Sequence, residues 1–151
     1  MIDVMIDTNL LVYVYDLSEP EKRPRAIEVL QRVRDAKAGV LSAQVLSEFY
    51  NTVTRKLKPP LPPAQAEAQV RAFARVWPVV PVTPQVVLEA IRGVREYQFS
   101  FWDAQIWAAA RLSQVAVVLS EDFNPGAVIE GVRFVDPFTA DFEPGDWEAG
   151  E

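Results

Sequence analysis

Short, mostly apolar runs alternate along the chain with longer segments in which apolar residues return every three to four positions. IDVMI at 2–6, VLS at 40–42, VVPV at 79–82, AVVLS at 116–120 and VRFV at 132–135 predict strands. The periodic segments predict helices at 8–15, 22–38, 43–57, 64–77, 84–97 and 101–113. In the second of these, Ala26, Ile27, Val29, Leu30 and Val33 make the inward stripe, and Gly39 is placed to stop the helix. Ser42 can cap the third helix, Thr83-Pro84 is a strong helix start, and a polar break falls near Gln98. KPPLPP at 58–63 is a stiff connector, and Pro81 assigns its strand to a sheet edge.

Apolar strands without strict alternation, separated by helices, predict an α/β fold with a short central parallel sheet covered by helices on both faces. No internal repeat and no second domain is visible. The tail after Pro137 is expected to be acidic and loosely held, with Trp147 placed to dock. In such sheets ligands bind beyond the carboxyl ends of the strands. Asp7 and Asp122 both follow strands at that end.

Composition narrows the chemistry. The 151 residues are half hydrophobic and contain neither histidine nor cysteine. That excludes imidazole and thiolate catalysis, thiolate zinc sites and a disulfide framework. No apolar stretch approaches the roughly 20 residues of a membrane span. With Asp3 and Asp7 near its start, the N-terminus does not fit a signal peptide, so a cytoplasmic location is expected. The net charge of −6 weighs against nucleic acid, but residues 136–151 hold six acids and no base. The remainder carries 15 acidic and 15 basic residues.

Asp7, Glu48, Asp103 and Asp122 are the residues on which chemistry can rest. Carboxylates without nitrogen or sulfur partners suit a hard cation such as Mg²⁺ or Mn²⁺, which commonly serves phosphodiester chemistry. Each acid also has an ordinary reading. Asp7 can cap a helix, and Asp103 completes a capping box with Ser100. Glu48 lies about 60° beyond the edge of its apolar stripe, as a solvated helix glutamate would. Asp122 sits in a turn, and Glu121 beside it is an alternative. Four acids gathered at one face of one fold repel each other, and a cation relieves that repulsion. Arg55, Lys56 and Lys58 can hold phosphates, although bases at a helix end also complement its dipole. Arg23 and Arg25 read as a solvated face. Tyr13, Tyr15, Phe49, Tyr50, Trp102 and Trp107 fall at core spacings and read as core or oligomer interface ahead of base-stacking platforms.

Rival carboxylate chemistries lack their residues. A haloacid-dehalogenase-like phosphatase needs a second Asp where Asn9 stands. A receiver domain needs a Lys after its last strand, and the last lysine is Lys58. The glycines are scattered, so no P-loop is present.

Asp7-Thr8-Asn9, Ser47-Glu48, SFWDA at 100–104 and LSEDF at 119–123 together resemble a PIN domain, most closely the toxins of VapBC-type toxin–antitoxin pairs. The resemblance implies a PIN-like three-layer sandwich over 1–138 with an acidic tail over 139–151. It implies a metal-dependent endoribonuclease using one or two Mg²⁺ or Mn²⁺ ions. Asp7, Glu48, Asp103 and Asp122 would be metal ligands, and Asn9 and Ser120 polar support. It further implies an RNA substrate, a homodimer, and a small antitoxin that can block the acids with an arginine. A PIN-like binding module that does not cleave is the alternative function. A phosphatase or a DNA-directed nuclease is a third.

Overall fold

The computed structural model describes residues 3–143 and 145–148. Strand β1 (Val4–Ile6) leads into α1 (Thr8–Tyr13) and then α2 (Lys22–Asp35). Strand β2 (Gly39–Ser42), helices α3 (Ala43–Arg55) and α4 (Pro63–Val76) and strand β3 (Val79–Val80) follow. The second half holds α5 (Pro84–Tyr97), α6 (Phe101–Leu112), β4 (Val117–Leu119), β5 (Val128–Ile129) and β6 (Val132–Val135). A short 3₁₀ turn spans Asp146–Glu148.

The strands form one sheet in the order β3-β2-β1-β4-β6-β5, parallel throughout except for the β5–β6 pair. This is the expected α/β architecture, a mostly parallel sheet flanked by helices. β1 and β4 are hydrogen-bonded neighbours, but the chain leaves them towards opposite edges, to β2 and β6. The crevice beyond their carboxyl ends is therefore a topological switch point, the usual ligand position in such sheets. β1, β2 and β4 are buried along their whole lengths, as strands covered on both faces must be. Helix α6 is buried from Ala104 to Ala110, and its alanines let it lie close to its neighbours.

Several elements depart from the expected boundaries. The first strand begins at Val4, and Ile2 lies outside the described residues. The first helix ends at Tyr13, not residue 15, and closes in tight turns from Tyr15 N–H to Val12 O and from Asp16 N–H to Tyr13 O. The second ends at Asp35, with Lys37 in the left-handed conformation at φ 55°. Gly39, expected as the stop, is the first residue of β2. A Cβ there would come within 2.9 Å of Trp77 Nε1, so packing rather than chain reversal requires glycine. Strand β5 was not expected. Glu130 (φ 48°) and Gly131 (φ 84°) turn it into β6, and positive φ at both residues is the usual two-residue hairpin solution. β3 does sit at a sheet edge, but it stops at Val80, so Pro81 follows the strand instead of lying within it.

The described part of the acidic tail is packed, not loose. Phe142 and Trp147 are buried, and Arg133 donates to Trp147 O at 3.2 Å. Arg25, read as a solvated residue, donates to Pro137 O and Phe142 O and lies over the Phe142 ring. Residues 144 and 149–151 of the tail lie outside the described residues. Among the described residues no helix is long and apolar enough to cross a membrane.

Candidate metal centre

Asp7 follows β1 directly and is 4% exposed. Its Oδ1 caps α1 by accepting from Thr8 N–H at 2.7 Å, and its Oδ2 accepts from Ser120 Oγ at 2.6 Å. Ser120, fully buried at the end of β4, also accepts from Asp122 N–H at 3.0 Å. One hydroxyl thus ties the carboxyl ends of two neighbouring strands together and sets the turn that presents Asp122.

Asp103 lies in the first turn of α6, where its N–H donates to Ser100 Oγ at 3.2 Å. The cap and the cluster are compatible, because the same helix start carries the carboxylate into the crevice. Asp7, Asp103 and Asp122 each offer an oxygen, and the three oxygens lie within 4.8 Å of one another. Oxygens on opposite sides of one Mg²⁺ are about 4.2 Å apart, so small side-chain adjustments would close the set on a cation.

Glu48 is not a solvated helix residue. Its Oε2 accepts from Thr8 Oγ1 at 2.9 Å and its Oε1 from Gln44 Nε2 at 2.5 Å. Gln44 is held in turn by Gln105 Nε2 at 2.7 Å and also donates to Trp102 O at 3.0 Å. Glu48 lines the same cavity of about 210 Å³ as the three aspartates, Thr8 and Asn9. Asn9 Nδ2 reaches Asp122 Oδ2 at 3.4 Å, and its buried Oδ1 has no hydrogen-bond partner. All six residues singled out in the sequence therefore converge. Thr8 and Gln44 were not singled out. Gln44 stands one helical turn before Glu48, a spacing that puts both on one face.

Glu121 points elsewhere. It accepts from Tyr13 Oη and pairs with Lys22 Nζ at 2.9 Å. Lys22 keeps its proton firmly through that pair, and burial with the Glu121 contact pushes the Tyr13 phenol up to about 12. Of the two adjacent acids, Asp122 is the one in the cluster.

The electrostatics are those of a site short of positive charge. Burial raises the Asp7 carboxyl to about 7; the Ser120 and Thr8 hydrogen bonds oppose that shift, and the charges of Asp122 and Glu48 add to it. Asp103 is raised by burial and then by Glu48, with Ser100 opposing. Asp122 is raised by desolvation and then by Asp103, Glu121, Glu48 and Asp136. Clustered carboxylates, an all-oxygen donor set and an orphaned amide oxygen fit a hard divalent cation.

Solved structures share the fold. A toxin–antitoxin complex from Klebsiella pneumoniae aligns with TM-score 0.65 and 17% identity, over 90% of this chain and 98% of that one. VapC20 of Mycobacterium tuberculosis, a sarcin–ricin loop cleaving toxin, aligns with TM-score 0.64 and 19% identity, over 87% and 99%. DNA-bound VapBC from Salmonella typhimurium gives TM-score 0.64 and 20% identity, over 91% and 99%. No curated protein matches the chain in sequence. The family profile described as PIN domain matches residues 4–128, which include the whole carboxylate cluster, and the chain belongs to the PIN domain family.

Proposed function

We propose that this chain is a divalent-cation-dependent endoribonuclease, the toxin of a VapBC-type toxin–antitoxin pair. The observation that carries the reading is the set of three aspartate oxygens within 4.8 Å at the β1/β4 switch point, with Glu48 on the same cavity. Asp7, Asp103 and Asp122 are proposed as direct ligands of Mg²⁺ or Mn²⁺, Glu48 as the fourth carboxylate, and Asn9 and Ser120 as support. When bound, such a cation neutralises phosphate charge and makes water a better nucleophile at neutral pH. The chain's own residues hold the geometry. Ser120 orients Asp7, Thr8 and Gln44 orient Glu48, and the Ser100 cap fixes the start of the helix that carries Asp103.

A small protein partner is part of this reading, and one feature of the chain supports it. An apolar cleft of about 240 Å³ between α2 and α4 is lined by residues including Ile27, Leu30, Phe73, Val76 and Trp77. An arginine from such a partner would pair well with the carboxylates and block them. A homodimer belongs to the same reading. Leu88 and Ile91, one turn apart on α5, are 66% and 43% exposed. A light-scattering mass equal to one chain at micromolar concentration would refute it.

The test is incubation of the purified chain with small structured and unstructured RNAs, with and without Mn²⁺, beside Asp103→Asn. Metal-dependent cuts that vanish in the variant are expected. Cuts that persist in the variant, or cleavage of DNA but not RNA, would overturn the assignment. Tight RNA binding without turnover in any divalent metal would make the chain a binding module.

A further inference from the structure

Trp102, read from its spacing as core or oligomer interface, is 62% exposed. The other three tryptophans, Trp77, Trp107 and Trp147, are at most 8% exposed. Trp102 stands immediately before Asp103 on the first turn of α6, and its backbone is held in place. Gln44 holds its carbonyl at 3.0 Å, and Phe101 packs against its ring at 5.1 Å in an edge-on arrangement. An indole left largely open to water beside a carboxylate cluster is apolar surface, and among the described residues only Phe101 makes an aromatic contact with it.

The indole borders a second hollow. A groove of about 410 Å³ runs along α3, lined by Asn51, Thr52 and Lys56 and, across from them, by Trp102. It shares Gln44, Glu48, Thr52 and Trp102 with the carboxylate cavity, so the two are continuous. Glu48 and Lys56 are separated by about 12 Å at 1.5 Å of rise per residue. The groove thus passes from the acids, along amide and hydroxyl side chains, to a cation. Among the described residues Lys56 makes no ion pair.

We propose that this groove is a nucleotide subsite for single-stranded RNA, with the base next to the scissile phosphate stacked on Trp102 and the following phosphate near Lys56. Asn51 and Thr52 are placed to meet the base edge or ribose. The proposal rests on the ribonuclease reading of the adjacent carboxylates. Charge explains why stacking has to contribute. A net charge of −6 weakens overall electrostatic attraction to a phosphate backbone, and an aromatic face binds any base without relying on that attraction. A duplex would keep its bases stacked inside, so the occupant is a loop or an unpaired strand.

Because Trp102 is the one exposed tryptophan, its emission reports the subsite directly. Asp103→Asn protein, which should bind without cutting, is titrated with hexauridylate and hexaadenylate while tryptophan emission and its quenching by acrylamide are followed. Both oligonucleotides are expected to change the emission and to shield it from acrylamide. Trp102→Ala in the same background should bind roughly tenfold to a hundredfold more weakly, and Trp102→Phe should recover most of the loss. Oligonucleotide binding with unchanged emission, or full affinity in Trp102→Ala, would overturn the subsite. Shielding that depends on protein concentration without RNA would overturn it too, by making Trp102 a contact between copies. A parallel cleavage assay with wild-type protein and Mn²⁺ separates the two ideas. Cleavage without an emission response sinks only the subsite. A response without cleavage sinks the nuclease and the scissile phosphate with it, and leaves the groove as a single-strand binding site.

Discussion

Ser120 Oγ donates to Asp7 Oδ2 at 2.6 Å, joining residues 113 positions apart at the ends of two adjacent parallel strands. The same oxygen accepts the Asp122 N–H, so two of the three clustered aspartates depend on one hydroxyl. Removing it as Ser120→Ala should cost about 1–3 kcal/mol of stability, since a buried bond to a carboxylate is lost. Mn²⁺ affinity should fall roughly 10–100-fold, the usual effect of losing a residue that orients a ligand. Calorimetric Mn²⁺ titration beside thermal unfolding measures both, and unchanged affinity would remove Ser120 from the support of the site.

The two neighbouring acids should separate cleanly. Asp122→Asn is expected to lose more cation affinity than the roughly 10–100-fold of an orienting residue. Glu121→Gln gives up a partly exposed pair with Lys22, worth about 1 kcal/mol, weakens the hydrogen bond from Tyr13, and should keep both cation binding and cleavage. The opposite ranking in a metal titration would move the fourth acid of the sequence motif to Glu121.

Acidity should stabilise the cation-free protein around Asp7. Its carboxyl titrates near 3.8 when unfolded and about 7 when folded, so between those values the folded state holds the extra proton. Stability therefore falls as pH rises from about 4 to 7, by up to a few kcal/mol at about 1.4 kcal/mol per pKa unit. Glu130 acts in the other sense. Hydrogen bonds from Arg92 and Tyr97 lower it to about 2, so its contribution is lost as pH falls from 4.5 towards 2. Urea unfolding in EDTA across pH 4–8 should show this slope, Asp7→Asn should reduce it to the part left by the raised Asp103 and Asp122 carboxyls, and saturating Mn²⁺ should reverse it.

Gly39→Ala should destabilise the fold without touching the site. The added Cβ meets Trp77, whose indole is 8% exposed and wedged between the sheet and α4, and such overpacking costs about 1–3 kcal/mol. A lowered Tm with unchanged Mn²⁺ affinity is the expected pair of readings.

Much of this was legible along the chain because local rules settle it. Apolar runs placed the strands, and Ser42, Thr83 and Ser100 cap the helices that they announce. Where the boundaries slipped, packing had the last word. Gly39 looks like a helix stop only until Trp77 is seen against it, and Glu130-Gly131 reads as a hairpin turn only once VI at 128–129 is admitted as a strand.

The sequence by itself determined the α/β order and the presence of acids at the ends of β1 and β4, because strand direction and loop placement follow from local pattern. Only the tertiary structure decided how the side chains turn. Periodicity gives a helix face without its rotation against the sheet, so Glu48, beyond the edge of a stripe, stays ambiguous until Thr8, 40 residues away, is hydrogen-bonded to it. The same ambiguity covers which of Glu121 and Asp122 faces the cluster, and whether Trp102 lies in the core. The orientation of these side chains follows from contacts between residues far apart in sequence, and such contacts exist only after the chain has closed on itself.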